Sequence, residues 1–323
     1  MISIQRRAFL AASAALALPA AAQQPYPSKP VRIVVPYPPG GVSDAVARAI
    51  AEKLAAQMGQ PFVVDNKAGA SGTIGVDAVA KAAPDGHTIA FTALSPLVLS
   101  PHLGKLPYDP ATQIAPVVSV MYSPVLLLAT PALAVRDFRE LVAMAKARPR
   151  AVRWATSGSA SLGHLMLEQL QEQAGVEMVH IPYKGGGQQM NDALGGQFEI
   201  LSTNAGPAVS EHIKAGKLRP LAVGAPRRLE SLPDVPTLAE LGYARANLSS
   251  QFGIVAPAGV PRAVVDKLNA QVNAILQLPE IRGRLVATDN VPTGGSADAF
   301  RQQIAAESEA NLRIIRAVGI KAD

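Results

Sequence analysis

The residues that most constrain the fold lie between positions 31 and 93, where apolar runs alternate with amphipathic stretches. Val31-Arg-Ile-Val-Val35 reads as a buried strand and runs into the loop Pro36-Tyr-Pro-Pro-Gly-Gly41. Val42, Val46, Ile50, Leu54 and Met58 then recur at i,i+4 spacing, which predicts a helix with Ser43 as its N-cap and Gly59 just past its end. Phe62 to Val64 make a second strand. The glycine-rich loop Gly69–Gly75 leads into a helix of about two turns, stopped by Pro84-Asp85-Gly86, and His87 to Ala93 return as a third strand. Strand, helix, strand, helix, strand with connections this short predicts a parallel sheet with right-handed crossovers.

The pattern restarts in the middle of the chain. A helix over Asp137–Arg148 precedes a strand at Ala151–Ala155, and a helix carrying Leu162, Leu165, Met166 and Leu170 follows. Strands are expected near Val176–Ile181, Phe198–Thr203 and Leu218–Val223, with helices near Gln188–Leu194 and Pro207–Lys214 between them. Phe252–Ala256 reads as a further strand. The helices after it, near 261–277, 280–287 and 297–317, have no new sheet to cover and are placed back on the first one. The expected architecture is therefore α/β with two domains, each a mostly parallel sheet flanked by helices. Residues 23–125 and 252–323 form a discontinuous first domain and residues 126–251 the second, so segments near Tyr122–Thr130 and Ser249–Ala256 cross between them.

The first 22 residues are read apart from the fold. Arg6 and Arg7 precede an apolar run, Ala8–Leu18, that falls short of the roughly 20 residues needed to span a bilayer. Ala20-Ala21-Ala22 supplies a small-x-small cleavage site, so a signal peptide cut after Ala22 is expected, by the general or the twin-arginine route. Removing it lowers the formal net charge from +6 to +4. That modest excess is scattered. Its only clusters are Arg148/Arg150/Arg153 and Arg227/Arg228, and neither sits among aromatics, which argues for solvated faces and against nucleic acid. The absence of cysteine excludes disulfides, thiolate metal sites and a lipid anchor on a first mature cysteine. No later stretch is apolar enough for membrane insertion.

Ligands of open α/β sheets bind beyond the carboxyl ends of the strands. Here those ends are Tyr37–Asp44, Thr92–Ser95, Thr156–Ser161, Tyr183–Gly187 and Thr203–Asn204, mostly small, hydroxyl-bearing or glycine. Helices expected to start at Ser43, near Ser159 and near Gly187 would aim backbone N–H groups into one cleft, an arrangement that suits an anion. The competing reading is that the glycines only permit tight turns. Gly40-Gly41 lacks the Gly-Lys-Ser/Thr of a phosphate loop, and Gly69–Gly75 lacks dinucleotide-loop spacing. Catalysis is poorly supplied. Ser161 lies in Gly158-x-x-Ser-x-Gly163, not a nucleophile elbow, and the five histidines show no metal-ligand spacing. His164 is read as a helix-surface or interface residue, Trp154 as strand core, and Asp44 as a first-turn acid favouring the helix dipole. No cofactor or metal is expected.

Several longer motifs carry a resemblance. Tyr26-Pro-x-Lys-Pro-Val-Arg-Ile-Val-Val-Pro-Tyr-Pro-Pro-Gly-Gly-x-x-Asp44 resembles the opening of the tripartite tricarboxylate transporter receptors, the Bug family. Val64-Asp-Asn-Lys-Ala-Gly-Ala-Ser-Gly72-x-Ile-Gly75, Ala83-Pro-Asp-Gly-His87, Leu106-Pro-Tyr-Asp109 and His180-Ile-Pro-Tyr-Lys-Gly185 follow in family order. So do Ala215-Gly-Lys-Leu-Arg219, Leu232-Pro-Asp-Val-Pro-Thr237 and Ala256-Pro-Ala-Gly259. The resemblance implies a monomeric periplasmic binding protein of the Venus-flytrap, type II-like kind, which hands organic acids to the membrane subunits of a transporter. It also implies a carboxylate held without a charged partner by Tyr37, Gly40, Gly41, Val42 and Ser43, with Ser157, Gly158, Ser159, Ser161 and Asn204 opposite. Lys184 is placed at the rim, and Thr92 joins the candidates from its strand end. Three positions depart from the family pattern: Ala160 replaces a glycine, Gln188 a proline and Gln251 a tryptophan. A sensory co-receptor and an enzyme on the same fold are the competing functions.

Overall fold

The computed structural model describes residues 26–318 except Gly185. Val31–Val35 (β1) lies between Phe62–Asn66 (β2) and Thr88–Ala93 (β3), parallel to both. The crossovers are helices Val42–Met58 (α1) and Thr73–Ala80 (α2). Alternation along β1 decides which helix covers which face: Ile33 and Val35 pack with Ile50 and Leu54 of α1, while Val34 packs with Val76 and Val79 of α2. Both faces are covered, so the strand reads as an unbroken apolar run. Three short helices follow: Ser95–Val98 (α3), Ser100–Leu103 (α4) and Pro110–Gln113 (α5).

The next element is a 16-residue strand, Ile114–Ala129 (β4), of which the sequence reading had only the crossing near Tyr122–Thr130. Pro116 and Pro124 argue against a strand there, because proline cannot donate to a ladder. The structure accommodates Pro116 with a register irregularity between Pro116 and Val118, a second falls between Ser119 and Met121, and Pro124 sits in regular register opposite Ser249 at the end of the β9 pairing.

Helix Phe138–Ala147 (α6), capped by the Asp137 side chain, leads to strand Arg153–Thr156 (β5) and helix Leu162–Ala174 (α7). Strand Val179–Pro182 (β6), helix Gly186–Leu194 (α8), strand Ile200–Asn204 (β7), helix Pro207–Lys214 (α9) and strand Arg219–Gly224 (β8) complete this part. β5 runs parallel to β6 and β7 and carries the fully buried Trp154. The chain returns in Ser249–Pro257 (β9), which pairs antiparallel with β3 and with β4 over Ile114–Pro124. From Val125 to Ala129, β4 pairs antiparallel with β7 and β8 instead. The sheets are thus mixed: parallel within each βαβ unit and antiparallel where the connecting strands join. β4 runs through both lobes, the one built around β1 and the one built around β5.

Helices Arg262–Gln277 (α10), Pro279–Val286 (α11) and Ala297–Val318 (α12) fold back onto the β1 lobe, the last two on either side of the short strand Val291–Pro292 (β10). Leu268, Val272 and Ile275 join the core of β1, and Phe300 joins that of α2. Ile315, near the end of α12, packs into the core of the β5 lobe, so this helix braces both.

Candidate functional site

The loop after β1 is fixed from behind. The Gly40 N–H donates to Asp44 Oδ2 at 3.1 Å, and Arg48 Nε donates to the same oxygen at 3.1 Å. Arg48 also reaches Asn66 Oδ1 at 3.2 Å, and Asn66 Nδ2 donates to the Tyr37 carbonyl at 3.1 Å. Burial of Asp44 raises its carboxyl pKa, but the bonds from Arg48, Gly40 and Asn66 outweigh this and hold it below the usual carboxylate range. Its charge is spent on Arg48 and the loop. The cap of α1 is Gly41 and not Ser43, which is the second helical residue. The first ladder bond runs from Ala45 N–H to Gly41 O, so the amides of Val42, Ser43 and Asp44 precede the ladder. The Gly40 amide, expected to face a ligand, is taken by Asp44.

The opposing loop after β5 is held in the same way. Thr156 Oγ1 donates to Gly158 O at 3.0 Å, receives the Gly158 N–H, and shares a 2.7 Å hydrogen bond with His180 Nε2. The His180 ring lies flat on His164, with centroids 3.9 Å apart and planes 5° from parallel. His164 is therefore buried under the loop, not on a helix surface: its Nδ1 receives the Ala160 N–H, and its Nε2 sits 3.5 Å from Glu168. Helix α7 starts one turn later than the expected Ser159, with Ser161 as N-cap accepting from His164 N–H. The amides of Leu162 and Gly163 precede its ladder.

Between these loops lies a cavity of about 430 Å³. Of the residues read from the sequence, Tyr37, Gly40, Gly41, Val42 and Ser43 line one wall, and Ser157, Ser161 and Asn204 the other. Three do not reach it. Thr92 is fully buried behind Tyr37 and donates to Ala93 O. Burial pushes the Tyr37 phenol up to about 12, offset only in part by hydrogen bonds with Thr92 and the Ala93 backbone, so it is a neutral hydroxyl. Gly158 and Ser159 are turned toward Ser71, whose hydroxyl donates to Ser159 O. Lys184 is exposed and lies outside the lining. Gln251 faces away and donates to Ser119 Oγ at 3.0 Å, while its neighbours Ser250 and Phe252 line the cavity.

Sequence reasoning missed Ser71, Gln189, Ser202 and His212, and it placed the helix Pro207–Lys214 without placing its start at the site. That start had a readable signal, Gly206 as cap with Pro207 at the first helical position. Its first ladder bond, Ser210 N–H to Gly206 O, leaves the amides of Ala208 and Val209 ahead of it. Four helix starts thus line one cavity, those of α1, α7, α8 and α9, the start of α8 near Gly187 being one the sequence had placed there. Among its lining residues none is Lys, Arg, Asp or Glu, and only Tyr37 and His212 are titratable. Val42, Val125, Leu162, Met190 and Phe252 add apolar surface. Open backbone donors and positive dipole ends in an uncharged enclosure favour a small anion with an apolar body. Among the described residues no cluster of His, Asp or Glu could hold a metal ion, and no helix is long and apolar enough to cross a membrane.

Known proteins are similar to this chain in sequence and fold. A family model described as the tripartite tricarboxylate transporter family receptor matches residues 46–320. Protein BugT of Bordetella pertussis (strain Tohama I) is 38% identical over 312 residues, covering 96% of this chain and 95% of BugT. A solved structure of an R. palustris protein with adipate superposes with a TM-score of 0.87 at 34% identity, covering 92% of this chain and 99% of that one. MatC from Rhodopseudomonas palustris with bound malate gives a TM-score of 0.84 at 28% identity, covering 90% of this chain and all (100%) of that one. The fold is that of the two-lobed periplasmic solute-binding proteins.

Proposed function

The chain belongs to the tripartite tricarboxylate transporter receptor family, and on that premise we propose that it is a periplasmic receptor that captures a small organic carboxylate between its lobes. The observation that carries this reading is the convergence of four helix starts on a cavity lined by no Lys, Arg, Asp or Glu. Each hydrogen bond from an open amide to a carboxylate contributes about 1.5–3 kcal/mol, and each helix dipole adds about 0.3–1 kcal/mol or more when buried. Three such contacts sum to about 5–12 kcal/mol, a range that spans the roughly 8 kcal/mol of micromolar affinity without an arginine. The bound malate and adipate of the similar structures support a linear acid of that size class.

The ligand contacts on this reading are Tyr37, Gly41, Val42 and Ser43 from one wall and Ser157, Ser161 and Asn204 from the other, with Gly40, Thr92, Gly158 and Ser159 shaping those walls. The two domains, 23–125 with 252–323 and 126–251, rotate about β4 and the return into β9. The chain binds without turnover, acts as a monomer, and delivers its ligand to the membrane subunits of a tripartite transporter. Residues 1–22 lie outside the described structure and are read as the export signal, leaving Gln23 as the first mature residue.

Native mass spectrometry of freshly purified protein, followed by calorimetry with malate, adipate and other short mono- and dicarboxylates, tests the reading. A carboxylate retained in the cleft, or one bound with Kd below about 10 μM, is expected. No carboxylate binding below about 1 mM would overturn it, as would turnover of a bound acid.

A further inference from the structure

The glycine-rich segment Gly69–Gly75, prominent in the sequence, contributes only Ser71 to the cavity lining. We infer that it is one half of a latch across the cleft, in which Ser71 is the positioning residue that locks the opposite wall, Ser157–Ser161, in its binding geometry. This rests on the carboxylate-receptor reading above and specifies how that cleft is held shut.

Four consecutive residues, Gly69, Ala70, Ser71 and Gly72, have φ of 137°, 45°, 52° and 97°. Two are not glycine, and side chains rarely adopt this region unless the surroundings enforce it. The enforcement is visible. Gly72 N–H donates to Gly69 O at 2.9 Å, and Thr73 Oγ1 donates to Ala70 O at 2.9 Å. A Cβ on Gly72 would come 2.9 Å from Pro96 Cγ and 3.1 Å from the Tyr37 hydroxyl oxygen, and one on Gly75 2.6 Å from Pro36 Cβ. The turn is therefore wedged beneath the loop after β1 and moves with it.

What this turn presents is the Ser71 hydroxyl, on a residue 9% exposed, donating to the carbonyl of Ser159 on the other lobe, 88 residues away. The receiving backbone is shaped to admit it. Gly158 has φ 144°, and a Cβ there would lie 2.3 Å from Ser71 Oγ. Ala160, next to the acceptor, has φ 60°. Thr156, His180 and His164 hold this loop from within its own lobe. The Ser71 bond crosses the cleft and ties Ser157, Ser161 and the open amides of α7 to the wall that carries Tyr37 and α1. Because it forms only when the lobes meet, it slows ligand escape without aiding encounter.

Stopped-flow binding of malate and adipate to Ser71→Ala and Ser71→Gly proteins tests the latch. Loss of one hydrogen bond predicts a dissociation rate roughly two- to tenfold faster in both, with association rates within about twofold of wild type. Ser71→Gly also relieves the left-handed backbone, so its melting temperature is expected at or above wild type, which separates latch loss from misfolding. Ligand-free Ser71→Gly protein should scatter with a larger radius of gyration than wild type. Unchanged dissociation rates in both variants, or association rates that fall in step, overturn the latch. If neither probe binds wild type, the carboxylate reading fails, and the scattering comparison still decides the latch: identical curves overturn it.

Discussion

Replacing Gln189 by Glu changes the charge of the cleft at almost constant shape. Gln189 is 1% exposed, lines the cavity, and donates through Nε2 to Ser202 O at 3.0 Å, while its Oε1 has no protein partner. It is the fourth residue of α8, where added negative charge favours the helix dipole, so folding should survive. In a cavity of about 430 Å³, a carboxylate held by the helix starts of the facing walls lies within roughly 6–8 Å of the Gln189 side chain. Two like unit charges at that distance repel by roughly 2–3 kcal/mol at an effective dielectric near 20, which weakens binding about 30- to 100-fold. Burial will raise the pKa of the new carboxyl, so the deficit should be full at pH 8 and shrink toward pH 5. Gln189→Leu is the control, losing the bond to Ser202 without gaining charge. Calorimetry on both variants at the two pH values decides. Equal deficits for Glu and Leu at pH 8, or no deficit for Glu, would refute the claim that an uncharged wall selects anions.

Other expectations concern stability and are read by denaturant unfolding. Asp44→Asn should cost about 1–2 kcal/mol at pH 7, discounted because Arg48 is half exposed; the folded carboxyl lies below its ordinary value, so this difference is present above about pH 4 and fades as the pH falls through the folded value. Ala160→Gly should stabilise by about 0.5–1 kcal/mol, since relief of the left-handed backbone at φ 60° outweighs the added freedom of the unfolded chain. Glu307 is pushed up to about 7 by burial; its proton is held more tightly in the folded state, so stability falls as the pH rises from about 4.5 to 7, and Glu307→Gln should stabilise by up to about 3 kcal/mol at pH 8 and hardly at all at pH 4.

The parts of this molecule legible in its sequence are those written in local periodicity. The run Val31–Val35 and the i,i+4 stripe through Ile50 and Leu54 each encode one burial pattern, and the structure uses both. β4 was obscured because Pro116 and Pro124 are strand breakers by local rules, yet Pro116 is taken up at an irregularity in the pairing with β9 and Pro124 lies where that pairing ends. Ser43 is a better cap by type than Gly41, yet the extended loop puts Gly41 at the cap and turns Ser43 inward. Ser71 had no signal at all. Its role depends on a left-handed turn at a non-glycine residue and on a carbonyl 88 positions away, and neither is encoded in residue type. His164 and His180 looked unrelated for the same reason, and they stack only because α7 folds over β6.

The placement of charge follows from how such a cleft must work. An arginine can chase its ligand, but a backbone amide is useful only if it already points at the site, because its donor direction is set by the chain. A wall built on amides therefore needs rigid loops, and rigidity here comes from polar groups one layer behind. On one side Asp44, Arg48 and Asn66 fasten the loop at Gly40 and Tyr37. On the other, Thr156, His180 and His164 fasten Gly158 and Ala160. The charges nearest the cavity, Asp44 and Arg48, are consumed in holding the loop that carries the donors. Asp44 in particular would repel an anion if it were free, but paired with Arg48 and bonded to Gly40 it sets the geometry of a wall whose lining residues carry no formal charge. Selectivity then depends on where the helix starts lie relative to one another, and that spacing is fixed by the sheet beneath them and by the closure of the two lobes.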